Sequence, residues 1–364
     1  MNKSSSNGQL HMEASQGQHP RPRVLCLLSD YEGNGGIHRF NRNLVQAIRE
    51  QGSHCEVLTL NDAGSNQVFK GHARSKGAFI RSAIARTWSS QPDLIIIGLL
   101  NFAPLALLRL LRSGRVAIVL HGFEAWYRRG KLAPFYRWVD KFWAVSEYTR
   151  RRFSTSNGVD PSRVERIFNT IPADWERGDL PVKYQPFFLS ITRLDEGEMY
   201  KGIDKSIEAI SEIREELRSG GWEYRLVAHG NDLERHKLLA RELQVEDLVK
   251  FQTDLTDRDL KNLYANCAFF LLPSSGEGFG IVFLEAMAYR KACIGAAGCG
   301  TDDVIDNGQT GFLIEPTPAN IRDCLRQLTE NPDLCTSMGA AGYQRLNTIF
   351  SFASFRHRIS ALLK

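Results

Sequence analysis

The chain has 364 residues, of which 43% are hydrophobic and 24% charged, and its net charge is +5. This composition is typical of a folded globular protein, and the length favours two domains or one large one. The sequence contains no run of about 18 uncharged apolar residues, which argues against a membrane-spanning helix. Seven scattered cysteines without a CxxC pair indicate a reducing compartment and argue against a disulfide framework or a zinc site.

The charge is divided unevenly along the chain. Residues 1–176 carry 24 Lys and Arg against 14 Asp and Glu, whereas residues 177–364 carry 22 against 27. A basic first half attracts anionic partners through its long-range field. Residues 1–21 are rich in Ser, Gln, Gly and His and have no apolar centre, so they are predicted to form a disordered tail and not a signal peptide.

Short apolar runs alternate with amphipathic segments along the chain, which predicts βα units and mostly parallel sheets. The predicted strands of the first half are 24–28, 56–60, 94–98, 116–120, 142–146 and 164–168, with helices such as 37–51 and 102–112 between them. The predicted strands of the second half are 187–191, 224–228, 268–272, 292–295 and 311–314. Between the halves, residues 171–186 contain three prolines and little periodicity, which predicts an interdomain linker.

Residues 273–288 read PSSGEGFGIVFLEAMA, a buried strand end followed by a Gly-rich turn and a helix that begins near Gly280. Such a turn offers free backbone N–H groups and the positive end of a helix dipole to a phosphate. Glu277 lies in the turn. Glu285 lies inside the helix among mostly apolar neighbours, where a carboxylate is costly unless a partner satisfies it. The residues alone leave two interpretations open, a ligand site or a helix cap at Glu277 with a structural ion pair at Glu285.

This Glu-Gly-Phe-Gly-x4-Glu pattern, followed by Ala-Met-Ala, resembles the signature of retaining glycosyltransferases of family 4, and the resemblance extends over about residues 23–363. It implies the GT-B fold, an α/β architecture of two facing Rossmann-like domains with a cleft between them. We therefore predict an acceptor domain at 22–175, a donor domain at 182–349, and a last helix, 350–364, that packs back on the first domain.

The resemblance also implies roles for the glutamates and for the turn between them. In the family the first glutamate, here Glu277, binds hydroxyls of the transferred sugar, and the second, here Glu285, holds the ribose of the nucleotide. The backbone of the turn approaches the sugar and the diphosphate, and its residues here are Gly278, Phe279, Gly280 and Ile281.

Residues 190–202, SITRLDEGEMYKG, follow the first strand of the second half. A guanidinium at Arg193 and an ammonium at Lys201 are groups that bind a diphosphate and its developing charge. In the family an Arg and a Lys from this turn do so, although the spacing here is about three residues longer. The alternative is a solvated charge cluster in which Arg193 pairs with Asp195 or Glu196.

In the first half, Gly35 and Gly36 follow the first strand and open a helix, so a ligand could approach the backbone closely. A dinucleotide-binding loop is a weak alternative because the third glycine of that fingerprint falls on His38. In the family this Gly-Gly loop reaches over the donor phosphate. An ordinary tight βα turn remains the other interpretation.

His121 ends the predicted strand 116–120, a position suited to hydrogen bonding or proton transfer in a cleft. In the family a His at this point contacts the transferred sugar, and the alternative is a satisfied surface histidine.

The stretch 126–143 interleaves aromatic and basic residues, which suits a membrane interface, a lipid-diphosphate acceptor, or a helix with its aromatics in the core. Nucleic-acid binding is not predicted, since no recognition motif accompanies the charge.

Two positions depart from the family pattern. Where the family has Gly-x-Pro after the helix that carries the second glutamate, this chain has Arg-Lys-Ala at 290–292. Where the family has a Gly at the end of a strand, this chain has Thr253. Neither change removes a motif residue, so the departures bear on donor choice more than on activity.

The sequence thus predicts a retaining glycosyltransferase that uses a UDP- or GDP-linked sugar as co-substrate. We expect no other cofactor, and no essential metal because no Asp-x-Asp follows a strand. Its acceptor is expected to be a glycan or a lipid-linked hydroxyl in surface polysaccharide or lipopolysaccharide synthesis. The predicted location is cytoplasmic, with peripheral membrane contact through the basic first domain. The alternatives are a sugar-nucleotide epimerase of the same architecture and a non-catalytic sugar-nucleotide-binding subunit.

Overall fold

The structure, a computed structural model, describes residues 21–33, 35–111, 114–172, 175 and 183–364. The predicted tail therefore lies outside the described residues except for Arg21. The predicted linker also lies largely outside them, since 173–174 and 176–182 are not described.

The first half forms a sheet of seven parallel strands. These are β1 Val24–Leu28, β2 Cys55–Thr59, β3 Lys70–Gly71, β4 Leu94–Ile97, β5 Arg115–Leu120, β6 Lys141–Ala144 and β7 Val164–Arg166. Their order across the sheet is β3-β2-β1-β4-β5-β6-β7. The second half forms a sheet of six parallel strands with the order β10-β9-β8-β11-β12-β13. These are β8 Phe187–Arg193, β9 Glu223–His229, β10 Val249–Gln252, β11 Phe269–Leu272, β12 Ala292–Ala296 and β13 Gly311–Ile314.

Helices connect the strands and cover both sheets. The α-helices are α1 Gly36–Glu50, α2 Lys76–Ser90, α3 Phe123–Trp126, α4 Glu147–Asn157, α5 Ile203–Glu212, α6 Arg214–Ser219, α7 Leu233–Glu242, α8 Asp257–Asn266, α9 Ile281–Ala288, α10 Pro318–Glu330, α11 Pro332–Arg345 and α12 Phe352–Leu363. In the part of the chain that the structure describes, no helix is both long and apolar enough to cross a bilayer. The predicted α/β class with two Rossmann-like sheets is confirmed.

Hydrophobic spacing explains the packing of α1 on the first sheet. Its Phe40, Leu44 and Ile48 repeat at intervals of four residues and are fully buried, as one face of an amphipathic helix must be. Burying each such side chain contributes about 1.5–3 kcal/mol.

The helix predicted at 102–112 is a 3₁₀ helix over Leu100–Leu110. Pro104 lies inside it and has no N–H to donate to Leu100, which disfavours a regular α-helical start.

The strands β3 and β10 were not predicted. β3 has only two residues, and β10 reads VKFQ, in which a lysine interrupts the apolar run.

The aromatic residues of the stretch 126–143 belong mostly to the core. Trp126, Tyr136, Phe142 and Trp143 are each at most 5% exposed. The structure therefore favours core packing for most of these aromatics, but the expectation of a helix over the stretch is wrong. It contains the 3₁₀ helix Ala133–Trp138 and part of β6, and Tyr127 is 56% exposed.

The last helix, α12, lies against α1 of the first domain. The ring centroids of Phe355 and Phe40 are 5.9 Å apart, and Nη1 of Arg356 lies 3.0 Å from Oε2 of Glu50. The chain therefore returns from the second domain to the first at α12.

The strand orders locate the point where each sheet changes direction. The first sheet reverses its winding between β1 and β4, and the second between β8 and β11. At such a switch point the loops that leave the two neighbouring strands diverge and open a crevice for a ligand. In the second domain those loops are 194–202 and 273–280, which hold Lys201, Glu277 and the glycines of the predicted donor turn.

Candidate active site

The loop after β8 ends in a 3₁₀ turn, Met199–Lys201, and in Gly202, from which α5 begins. Gly202 has φ +72°, a conformation that favours glycine, and a Cβ there would lie 2.6 Å from the carbonyl oxygen of Pro273. This close approach brings Lys201 against the second loop of the switch point.

Lys201 and Glu277 meet across the switch point. Nζ of Lys201 donates to Oε1 of Glu277 at 2.8 Å, and the two side chains are 17% and 14% exposed. The turn that carries Glu277 is held from the other side, because the N–H of Gly300 donates to the carbonyl oxygen of Glu277 at 2.8 Å. Gly280 then takes φ +89° and α9 begins at Ile281.

Arg193 lies at the end of β8 and is paired within its own loop. Its guanidinium contacts Asp195 at 2.9 Å and forms a two-pronged contact with Glu198. Glu198 also accepts a hydrogen bond from the Tyr200 hydroxyl at 2.9 Å. Burial raises the pKa of Glu198, but the hydrogen bonds from Arg193 and Tyr200 outweigh it and lower the pKa. Arg193 is 55% exposed and is therefore placed beside the site, paired as in the charge-cluster interpretation, with Glu198 in place of Glu196.

Glu285 is buried in α9 and has two protein partners. Its Oε2 accepts a hydrogen bond from the Tyr264 hydroxyl at 2.9 Å, and its Oε1 forms an ion pair with Arg39 of α1. Arg39 comes from the other domain, and its guanidinium carbon lies 5.1 Å from the ring centroid of Trp175. Glu285, which is predicted to bind the ribose, thus also links the two domains through Arg39. The ion pair that the residues alone left open at Glu285 is therefore present. Its partner and Tyr264 could not be named from the sequence, because both lie far from Glu285 along the chain.

The two domains touch at the glycines of the site. A Cβ at Gly278 would overlap the carbonyl oxygen of His121, and a Cβ at Gly122 would lie 3.3 Å from Cα of Gly278. A Cβ at Gly36 would lie 3.9 Å from the side chain of Ile281. The first turns of α1 and α9 therefore face one another, and each directs the N–H end of its helix dipole toward the same space.

The N-terminus of α1 is capped by a side chain that the sequence interpretation did not assign. Nδ1 of His38 accepts a hydrogen bond from the N–H of Gly35 at 3.2 Å. The position that breaks the dinucleotide fingerprint is thus occupied by a capping imidazole.

His121 follows β5 with its ring held in one orientation. Its Nε2 lies 3.0 Å from the carbonyl oxygen of Gly98, which can only accept, so Nε2 carries the hydrogen and Nδ1 of the neutral ring is an acceptor. Burial lowers the pKa of His121, while the nearby Glu124 carboxylate raises it. The ring packs edge-on against Phe40 with centroids 5.0 Å apart.

Phe279 contributes its backbone to the turn and its side chain to the core. The ring is 4% exposed and packs near Phe168 and Phe350, with centroids 6.1 and 5.7 Å away. Its side chain therefore anchors the turn between the domains.

A partly buried ionic cluster lies behind the loop that carries Lys201. Arg235 of α7 makes a two-pronged contact with Asp232, at 2.7 and 2.8 Å, and also donates to Asp204 at the start of α5. His236 lies 3.6 Å from Asp204. Burial raises the pKa of Asp204, but hydrogen bonds from His236 and Arg235 prevail and hold it well below its usual range. The sequence signal for this cluster is an acidic residue three positions after Lys201, outside the motifs from which the site was predicted.

Known proteins resemble this chain over most of its length. The family profile "Glycosyltransferase Family 4" matches residues 34–175, and the profile "Glycosyl transferases group 1" matches residues 175–345. The human alpha-1,3/1,6-mannosyltransferase ALG2 is 30% identical over 226 residues, which cover 58% of this chain and 54% of that protein. The chain thus matches about half the length of this relative.

Two further proteins match nearly end to end. The GDP-mannose-dependent alpha-(1-6)-phosphatidylinositol monomannoside mannosyltransferase of Mycobacterium tuberculosis is 28% identical over 388 residues, 94% of this chain and 98% of that protein. The crystal structure of Anabaena HepE in complex with UDP superimposes with a TM-score of 0.77 and 14% identity, over 94% of this chain and 99% of that one. The latter likeness shows the fold.

Proposed function

This chain belongs to glycosyltransferase family 4, and from that premise we propose that it moves a hexose from a nucleoside diphosphate sugar to a hydroxyl of a glycan or lipid-linked acceptor. The observation that carries the proposal is the Lys201–Glu277 contact at the switch point of the second sheet. The contact holds an ammonium and a carboxylate close to the N-terminus of α9, and we propose that they bind the diphosphate and the sugar hydroxyls.

The donor lies between the first turns of α1 and α9 in this proposal. Their backbone N–H groups and Lys201 bind the diphosphate, and Arg193 turns from Glu198 towards it when the charge arrives. The ribose hydroxyls donate to Glu285 and share that carboxylate with Tyr264 and Arg39. Cationic side chains and helix termini thus neutralise the leaving group, a role that a metal ion fills elsewhere, and we propose that none is needed.

In the transfer step the bond between the anomeric carbon and the diphosphate oxygen breaks, and the electron pair stays with the diphosphate. Lys201 and the amides of the turn stabilise that charge as it develops. The acceptor oxygen attacks from the face that the diphosphate leaves, so configuration is retained, and a departing phosphate oxygen takes the acceptor's proton. Glu277 and Nδ1 of His121 accept hydrogen bonds from sugar hydroxyls and hold the ring in place.

The donor proposed first is GDP-mannose. Two relatives are named mannosyltransferases, and one of them is GDP-mannose-dependent by name. A UDP-linked sugar is the second choice, since HepE binds UDP. The proposed acceptor is a lipid-linked or surface-glycan hydroxyl, reached from the cytoplasmic face of a membrane that the basic first domain contacts.

A thermal-shift screen of the purified chain against GDP, UDP, ADP, dTDP and their sugars tests the donor site. A ligand at 100 times its Kd stabilises a protein by about 2.7 kcal/mol. We expect one base to prevail, and we expect Glu285→Gln and Lys201→Ala to weaken the shift while the surface variant Lys250→Ala keeps it. A wild-type chain that no nucleotide stabilises would contradict the proposal. Release of an epimerised nucleotide sugar without acceptor would instead indicate an epimerase, and donor binding without turnover would indicate a binding subunit.

A further inference from the structure

Two neighbouring helices of the first domain expose apolar side chains to solvent. They are α2 and the 3₁₀ helix Leu100–Leu110. We call the six residues the apolar tip: Ile80, Ile84 and Trp88, which are 44%, 44% and 63% exposed, and Leu107, Leu110 and Leu111, which are 39%, 62% and 36% exposed. Their spacing is regular, four residues along α2 and three from Leu107 to Leu110, so each helix presents one apolar face outward.

These two faces lie on adjacent helices. The helices touch through the rings of Phe79 and Phe102, whose centroids are 5.7 Å apart. They then lead into β4 and β5, which are adjacent in the sheet, with Leu94 opposite Arg115. The turns before these strands also meet, because the N–H of Arg115 donates to the carbonyl oxygen of Asp93 at 2.9 Å. The two most exposed side chains, Trp88 and Leu110, therefore lie at the same end of the domain.

The chain segment that carries the apolar tip is basic. Residues 63–123 contain eight Lys and Arg and a single acidic residue, Asp93, although Arg86 and Arg109 are paired with Glu56 and Asp140 from outside this range. Asp93 itself accepts a hydrogen bond from the N–H of Arg23 at 2.8 Å. Lys76 and Arg81, in the first turns of α2, are exposed beside Ile80. Long cationic side chains next to exposed Trp, Ile and Leu are suited to a bilayer interface, where the apolar groups enter and the cations meet lipid phosphates.

We propose that the apolar tip docks this chain on an anionic lipid bilayer. The proposal assigns particular residues to the membrane contact of the proposed function. It rests on the proposed function only for the link to a lipid-linked acceptor, since docking itself needs no catalysis. The surface differs from the stretch 126–143, whose aromatics are mostly buried. Self-association through the same face is disfavoured, because a two-fold dimer would set Lys76 and Arg81 against their own copies or close to them.

Vesicle sedimentation of the purified full chain tests the proposal. The vesicles are phosphatidylcholine alone or phosphatidylcholine with about one third phosphatidylglycerol. We expect wild type to bind the anionic vesicles, and Trp88→Ser/Leu110→Ser and Lys76→Ser/Arg81→Ser each to bind about tenfold more weakly, as the loss of apolar burial or of two surface cations requires. The matched controls are Leu238→Ser, an exposed leucine of α7 that is 49% exposed, and Lys250→Ser, an exposed lysine of β10.

The outcomes separate this proposal from the donor site. It is overturned if wild type binds neither vesicle, if the tip variants bind as well as Leu238→Ser, or if light scattering shows wild type to be a dimer that Trp88→Ser/Leu110→Ser converts to a monomer. The nucleotide-induced thermal shift is measured on every variant. A variant that keeps this shift and loses vesicle binding is folded and supports docking, whatever the identity of the donor.

Discussion

Nζ of Lys201 lies 2.8 Å from Oε1 of Glu277, and this contact joins the two loops that diverge at the switch point of the second sheet. Both side chains are mostly buried, so each carries a charge that depends on the other for compensation. In the proposed function, the phosphates of a bound nucleoside diphosphate sugar contact the Lys201 ammonium, and its sugar hydroxyls donate to the Glu277 carboxylate.

Replacing Lys201 with Met keeps the apolar stem and removes the charge. We expect transfer at saturating donor to fall about 100-fold or more, because stabilisation of the leaving diphosphate is lost. Initial-rate measurement of nucleoside diphosphate release reports this. Lys141→Met, which breaks the more exposed 2.7 Å contact with Glu165, is the matched control and should leave the rate unchanged. A Lys201→Met rate within about threefold of wild type would remove Lys201 from the proposed step.

Gly278→Ala tests the contact between the domains. The added methyl would overlap the carbonyl oxygen of His121, so the domains could not approach as they do here. We expect kcat/KM to fall about 100-fold, since a misplacement of about 1 Å between reacting groups has that effect. Gly130→Ala is the control, because a Cβ there meets nothing within 4 Å. Unchanged kcat/KM in Gly278→Ala would show that transfer does not need this approach.

Arg235 is expected to position the loop that carries Lys201, because it ties Asp204 to Asp232 directly behind that loop. For Arg235→Ala we expect the donor KM to rise about tenfold, with partial rescue in Arg235→Lys, which restores the charge but not the two-pronged contact. Arg218→Ala removes a comparable two-pronged contact with Asp247, at 2.8 and 2.9 Å, on the surface of the same domain.

Steady-state kinetics with varied donor compare the two variants alongside their melting temperatures. An equal loss of stability with a KM change only in Arg235→Ala supports positioning. Equal KM values in both would make the cluster purely structural.

Two carboxyl groups, Glu147 and Asp204, have lowered pKa values in the folded protein, so both are expected to limit its stability at acid pH. Hydrogen bonds from Arg150 lower the pKa of Glu147 from 4.5 to about 2, with burial acting against them. A carboxyl whose pKa is depressed by folding contributes stability above its unfolded value, and that contribution is lost as the pH falls through the folded value. We therefore expect the melting temperature to fall between about pH 4.5 and pH 2, and to fall less steeply in Glu147→Gln. Parallel melting curves for the two proteins across this range would contradict the assignment.

The fold was largely predictable because buried parallel strands are continuous apolar runs. The five strands predicted in the second half all exist, and the one missed there, Val249–Gln252, has alternating polar residues at the edge of the sheet. The donor loops were found for a related reason, since glycines and charges clustered directly after strands mark the carboxyl edge of a sheet.

Pairings between distant segments could not be predicted. Arg39 and Glu285 meet only because the two domains face each other, and no local pattern encodes that distance. The exposure of Trp88 was equally hidden, because an apolar residue in an amphipathic helix is ordinarily assigned to the core.

The return of α12 to the first domain sets an order for biosynthesis. The interface of α1 with Phe355 and Arg356 can form only after α12 has left the ribosome, whereas the second domain is complete in sequence before that helix. The domain synthesised first is thus the one finished last. Until then the face of α1 that receives Phe355 is open to chaperones, and a chain truncated before α12 would hold the whole sequence of the second domain while α1 of the first domain lacked this cover.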